Sequence, residues 1–429
     1  MDFVPNTLEQ QKEMLHTIGV SSINELFKDI PSSILLQDPL AIGKGLSEIA
    51  VKRKLASLAM CNKISYTSFL GAGSYAHFIP SIVNALISRG EFYTAYTPYQ
   101  PEISQGVLQA IFEYQTLIAD LTGMDVANAS LYDGSTALAE ACIMAHTITK
   151  RTQIVALKSV HPEYREVLKT YCTAHSFQLI EADQPTITDK TAALLIQNPD
   201  FFGSVHDLRK YAEQAHSQGA LLVVNVVEPT SLGLLVPPGE CGADIVVGEA
   251  QSFGNPINFG GPYLGIIATT EEFKRNIPGR LVGKTVDEEG QDGYILTLQA
   301  REQHIRREKS CSNICTNQAL CALAASIHIA ALGKTGIKEL AELNLQKAHY
   351  LSRKLMENGC QLYFNGPFYN EFVLKLDDVN STLKKLADKN IIGGLDLGKF
   401  YPDLKNCLLI CVTELITKED MDSFVETLS

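Results

Sequence analysis

The chain has 429 residues, a net charge of −12, 45% hydrophobic and 20% charged residues. This length allows two or three domains around a large core, and an acidic chain without a basic stripe argues against a nucleic-acid partner. No uninterrupted apolar run approaches the roughly 20 residues that span a bilayer, and MDFVPNTLEQQKEM lacks the basic start and apolar core of a signal peptide, so a cytoplasmic protein off the membrane is expected.

Three short helices are predicted to open the chain. Thr7 with Gln10 makes a capping-box pattern, and Gly19 is a C-terminal stop. INELFKDI and LSEIAVKRKLASLAM also have helical spacing. A long non-periodic stretch rich in Gly, Tyr and Pro runs from Tyr66 to Gly106, and such stretches are more often functional than idle. IFEYQTLIADLTG and GSTALAEACIMAHTIT then read as helices. TQIVAL, SFQLIEA, TAALLIQ, ALLVVNVV and ADIVVGE read as strands, with HPEYREVLKTYCTA and VHDLRKYAEQAHSQG as helices among them. Continuous apolar strands alternating with helices predict a parallel sheet covered on both faces. After Gly333, a long helix and the short strands QLYF, EFVLKL and CLLICV predict a smaller α+β layer. The expected division is an N-terminal helical segment (1–65), a large α/β domain (66–332) and a small α+β domain (333–429).

Ten cysteines are scattered without framework spacing and are expected to be reduced and mostly buried. Cys311 and Cys315 lie four apart, but no second ligand pair follows, so no metal is expected.

Ligands of open parallel sheets bind outside the carboxyl ends of the strands. Ser135 and Thr136 open a helix, where free amides and hydroxyls suit a phosphate; an ordinary cap is the commoner reason for such residues. Asn225 stands at a strand end where a pyridoxal phosphate (PLP) site needs an acid, and Glu228 follows; an Asn that simply makes a turn is the commoner reason for such a residue. In GEAQSFGNPINFGGP, Gln251 and Ser252 stand where such enzymes place the reactive lysine, and neither is a nucleophilic amine. From Tyr211 to Phe273 there is no Lys or Arg at all. YTAYTPYQPEISQG spaces Tyr93, Tyr96 and Tyr99 three apart, followed by Glu102, Ser104 and Gln105, a composition found at interfaces and pockets as well as in structural clusters. Arg301, His304, Arg306, Arg307 and Lys309 form the most cationic stretch, read first as a solvated helix face.

YTPYQPEISQG, NASLYDGSTALAEA, PPGECGADIVVGEAQSFG, FGGPYLG, PGRLVGKTVD, GYILTLQAREQHIRREK and SNICTNQAL together resemble the α subunits of the decarboxylating glycine dehydrogenases, the P-proteins of the glycine cleavage system. The similarity spans essentially the whole chain. It implies a fold-type I, aminotransferase-like architecture and an α2β2 assembly. The β subunit would hold PLP and this chain would bind none covalently. Decarboxylation of glycine would then pass an aminomethyl group to the lipoyl arm of the H-protein. The resemblance lays the family's histidine–lysine pair on about Gln251-Ser252 and its ring-nitrogen acid on about Asn225. It implies no catalytic residue of this chain's own, a vestigial pocket at Ser135, Thr136, Asn225, Gln251 and Ser252, and a tyrosine-rich loop (Tyr96, Tyr99, Glu102, Ser104, Gln105) that serves the partner's site. Arg301, Arg306, Arg307 and Lys309 are expected at the interface or at the entrance for the lipoyl arm. The rival readings are a self-sufficient PLP enzyme using Lys158 or Lys284, and a non-catalytic scaffold.

Overall fold

The computed structural model describes residues 6–36, 38, 40–62, 65–258, 261–310 and 312–428. It divides into two units, Met1–Ile64 and Ser65–Ser429. In the first, the helix Leu8–Ile18 starts at a capping box between Thr7 and Gln10 and stops at Gly19 in the left-handed region. A second helix runs over Glu48–Ala59. INELFKDI makes only a 3-10 stretch, Ile23–Phe27, not an α-helix. Its Ser22 provides no side-chain cap, and Pro31 disfavours helical geometry in the residue before it.

The second unit is built on a seven-stranded sheet. Its spatial order is Val126–Ala127, Gly265–Thr269, Ile245–Glu249, Leu221–Val226, Thr191–Gln197, Gln153–Leu157, Gln178–Ala182. The last five are mutually parallel. Gly265–Thr269 pairs antiparallel with its neighbours on both sides. The apolar strand runs have a reason in packing. Val155, Leu194, Val224 and Val246 face one core with the helices Gln105–Thr122, Leu208–His216 and Ala319–Glu357. Ile154, Ala193, Val223 and Ile245 face a second core with the helices Gly134–Thr149 and Pro162–His175. Both faces are covered, so the inner strands are apolar on both alternate positions except near their ends, as at Gln197, Asn225 and Glu249.

The helix Ala319–Glu357 is long and apolar enough by composition to cross a bilayer. Here it packs as a core helix. Its first half joins the sheet core through Ala322, Ala325 and Ile329. It breaks at Gly333 (φ 60°, ψ −177°), and its second half joins a separate core through Leu351 and Leu355. That core is shared with a four-stranded antiparallel sheet, in the order Gln361–Leu362, Glu371–Lys375, Cys407–Cys411, Leu395–Asp396. The nine described cysteines are free; Cys311 lies outside the described residues.

Candidate functional site

The strand Ile245–Glu249 ends in a turn that carries Gln251 and Ser252, each 2% exposed. Gln251 acts as a clasp. Its Oε1 accepts from Tyr75 N at 2.9 Å, while its Nε2 donates to Tyr75 O at 3.0 Å and Asn255 O at 2.7 Å. The 71–77 segment is thereby drawn over the ends of the strands. Ser252 Oγ donates to Glu228 Oε2 at 3.0 Å. The same carboxylate oxygen faces His77 Nε2 at 3.2 Å, and His77 Nδ1 meets Glu414 Oε2 at 2.7 Å. Burial alone would lower the pKa of His77, but the flanking carboxylates of Glu228 and Glu414 outweigh it and push it up to about 10. A buried imidazolium therefore stands beside the position laid on the family's lysine.

The same segment crosses His161. The His161 ring packs against Tyr164 and Phe201, with centroids 4.8 and 4.7 Å away. Its Nδ1 accepts from Glu163 N at 3.2 Å, which leaves Nε2 to donate to Ala72 O at 2.9 Å. Gly73 lies at φ +103°, and a Cβ there would stand 2.6 Å from His161 Nε2. Gly73→Ala is therefore expected to cost about 2–4 kcal/mol, from left-handed strain plus overpacking. Urea unfolding of the purified chain measures it; an unchanged midpoint would mean the segment does not sit on the ring. Ala72 N and Tyr75 Oη donate to the Glu371 carboxylate at 2.7 and 2.8 Å. Burial raises the Glu371 pKa to about 7, partly offset by these donors.

Asn225 is fully buried at the end of its strand. Its Nδ2 reaches Gln197 Oε1 at 3.4 Å, and its Oδ1 has no hydrogen-bond partner. At the start of the helix Gly134–Thr149, Asp133 is the N-cap. Its Oδ1 accepts from Ser135 Oγ at 2.6 Å and Thr136 N at 2.8 Å. Glu249 Oε2 accepts from Gly134 N at 3.0 Å. Two carboxylates thus hold the amides and hydroxyls that a phosphate would use. Burial raises the Glu249 pKa to about 7, against the donors from Leu264, Gly134 and Gln251. Asp133, Ser135 and Glu249 border a cavity of about 320 Å³, whose wall also holds Tyr132, His161, Glu163, Tyr164 and Tyr263, whereas Thr136, Asn225, Gln251 and Ser252 do not line it. No Lys or Arg lines it among the described residues.

The sequence reading missed Asp133, Glu249, His161, Tyr75, His77 and Glu371. Asp133 was available as a signal, being an Asp directly before a helical run. Glu249 stood two residues before Gln251, from whose N it accepts at 3.1 Å; His161, Tyr75, His77 and Glu371 are joined to the site only by long-range contacts.

The tyrosine-rich residues lie together on the loop before the helix Gln105–Thr122. Tyr96 is 87% and Tyr99 44% exposed, and Glu102 is exposed. Tyr99 Oη accepts from Arg280 Nη2 at 3.1 Å, and its ring lies 5.5 Å from that of His304. Ser104 makes no side-chain cap on that helix. Gln105 is already engaged, its Nε2 donating to Pro101 O and Tyr294 O and its Oε1 accepting from Tyr294 N. The cationic stretch is not one solvated helix. It is three short turns, Gln299–Arg301, Gln303–Arg306 and Arg307–Lys309, with Arg307 at φ 53°. Arg306, Arg307 and Lys309 are exposed, whereas Arg301 is buried and donates to Ile277 O. Arg301 is thus a packing cation and not part of an open face.

Comparison with known proteins places this geometry. The family described as "Glycine cleavage system P-protein" matches residues 1–428. A probable glycine dehydrogenase (decarboxylating) subunit 1 from Desulfitobacterium hafniense is 54% identical, over 99% of this chain and 98% of that protein. Its counterpart from Anoxybacillus flavithermus is 52% identical over the same shares. A crystal structure of glycine decarboxylase (P-protein) of the glycine cleavage system, in inhibitor-bound form, superposes with TM-score 0.91 at 45% identity, over 100% of this chain and 99% of that one. Lactobacillus brevis glutamate decarboxylase, at 12% identity, TM-score 0.67 and coverage of 95% and 96%, shares the fold-type I architecture alone. The chain belongs to the glycine cleavage system P-protein family, as a subunit 1 of decarboxylating glycine dehydrogenase.

Proposed function

We propose that this chain is the half of glycine dehydrogenase that does not carry PLP, and that it completes an active site held by a β subunit in an α2β2 assembly. The observation that carries this reading is the pair of carboxylates, Asp133 and Glu249, on the amides of the helix Gly134–Thr149. A phosphate placed there would meet the Asp133 carboxylate and find the Gly134 and Thr136 amides already taken, so these residues do not fit PLP. Supporting it, Ser252 is committed to Glu228, and the backbone of residues 72 and 73 lies over His161. The self-sufficient alternative has no support in the lysines offered for it. Lys158 pairs with Asp183 at 2.8 Å and Lys284 with Asp292 at 2.7 Å, both exposed and outside the cavity.

In this reading PLP on the β subunit supplies the electron sink for glycine decarboxylation. This chain supplies position and shelter. Tyr96 and Glu102, exposed on one loop, reach the partner's pocket, orient glycine and exclude water. Tyr99, steadied by Arg280, and Gln105, clamped to Tyr294, hold that loop in shape, and Ser104 starts the helix behind it. Arg306, Arg307 and Lys309 form the face toward the β subunit or the lipoylated H-protein. The assembly works in the cytoplasm.

The test is reconstitution. Each chain alone is expected to show no glycine–bicarbonate exchange, and the mixture to show it. Borohydride in the presence of PLP should label a lysine peptide of the β chain only; a labelled lysine in this chain would overturn the reading. Tyr96→Phe, Tyr99→Phe or Glu102→Gln is expected to lower exchange about 10- to 100-fold while the subunits still associate. Full exchange in all three variants would leave this chain a scaffold.

A further inference from the structure

A second cavity of about 320 Å³ lies beneath the residue 92–98 loop. Gln318 borders both cavities, yet their electrostatics are opposite. The first has Asp133, Glu163 and Glu249 in its wall. The second has no acidic residue, and Arg280 is its charged one.

Arg280 is only 7% exposed, and it takes part in none of the ion pairs among the described residues. Nη1 reaches Asn317 Oδ1 at 3.4 Å, and Nη2 donates to Tyr99 Oη at 3.1 Å and to Cys315 O. These acceptors are all neutral. Nε has no hydrogen-bond partner. Glu302 senses the Arg280 charge but stands beyond ion-pair distance. Tyr114, also in the wall and 1% exposed, has a partnerless hydroxyl. A buried guanidinium without a counter-ion is costly, and an anion relieves that cost.

The 39-residue helix Ala319–Glu357 begins at the same wall. No side chain caps it. Gln318 N donates to Ser130 Oγ, and the first helical bond is from Ala322 N. The amides of residues 319 to 321 have no partner among the described residues. An uncapped helix start concentrates positive potential where the guanidinium already stands.

We propose that this cavity is a small-oxyanion site of the chain itself, with Arg280 as its cation and the first turn of the helix Ala319–Glu357 as its amide donors. The ligand carries a phosphate or carboxylate head. Phe92, Tyr93, Tyr96 and Leu323 provide an apolar wall for whatever the head is attached to. The site shares Tyr96 with the loop assigned above to the partner's pocket, but its anion binding is read on this chain alone, so its failure is distinguishable from a failure of reconstitution.

The experiment is calorimetric titration of the full-length chain with inorganic phosphate, and separately with acetate and glycine, at fixed ionic strength. Saturable millimolar or tighter binding is expected for at least one. Binding of phosphate alone identifies a phosphate-ester head; binding of acetate and glycine alone identifies a carboxylate. Arg280→Gln is expected to weaken binding at least tenfold, with Arg280→Lys in between. Since Arg280 also ties down Cys315 and Asn317, a second variant guards against misfolding. Gln318→Glu places a carboxylate at the uncapped helix start, should fold at least as well as the native chain, and should abolish anion binding. Absence of saturable binding by every anion, or native affinity in both Arg280→Gln and Gln318→Glu, overturns the proposal.

Discussion

Replacing His77 with glutamine is expected to lower the stability of the chain by about 3–5 kcal/mol, the range for removing one member of a buried charge group. His77 is buried between Glu228 and Glu414, and the amide would leave two carboxylates without their cation. The pH dependence gives a second readout. The His77 pKa is about 10 when folded, against 6.5 for a free imidazole. The folded state therefore binds the extra proton between those values. Its stabilisation is full below pH 6.5 and fades as the pH rises toward 10. Glu249 and Glu371, each raised to about 7, act in the same direction between 4.5 and 7. His328 acts oppositely: burial lowers its pKa to about 4, so stability is lost as the pH falls from 6.5 toward 4. Urea midpoints measured from pH 7 to 8.5, above the range of Glu249 and Glu371 and below the range where buried thiols such as Cys142 matter, should fall for the native chain and stay nearly level for His77→Gln. Parallel curves would show that the imidazole carries no charge.

Restoring the family's amine should not restore the cofactor. Ser252→Lys is expected to leave the chain colourless with PLP and unlabelled by borohydride. The new ammonium would enter a site that is 2% exposed and already holds the His77 cation against Glu228. It would have to fit a long side chain and its charge into a filled, buried place and displace the Ser252–Glu228 hydrogen bond, at a cost of several kcal/mol in stability. The phosphate end would fare no better, because Asp133 and Glu249 hold the amides it needs. A yellow, reducible adduct on residue 252 would show that the lysine alone separates this pocket from a working one.

Local patterns were readable wherever the cause was local. The Thr7–Gln10 cap, the Gly19 stop and the five parallel strands depend on neighbours in sequence or on burial of both sheet faces. That no Lys or Arg stands between Tyr211 and Phe273 was equally plain. How Gln251 and Ser252 are packed was not legible. Tyr75 and Gln251 are 176 residues apart, and His77 and Glu414 are 337 apart. No periodicity encodes such pairs. The cationic run misled because composition does not distinguish a solvated Arg306 from a buried Arg301. INELFKDI misled because helical spacing says nothing of a missing cap.

The segment from Gly71 to His77 has a mechanical consequence. It is fastened to the strand ends through Gln251 and His161, and to the antiparallel layer through Glu371 and Glu414. A rivet through both layers leaves no hinge for them to swing on. The sheet and the antiparallel layer of this chain are thus expected to move as one rigid jaw.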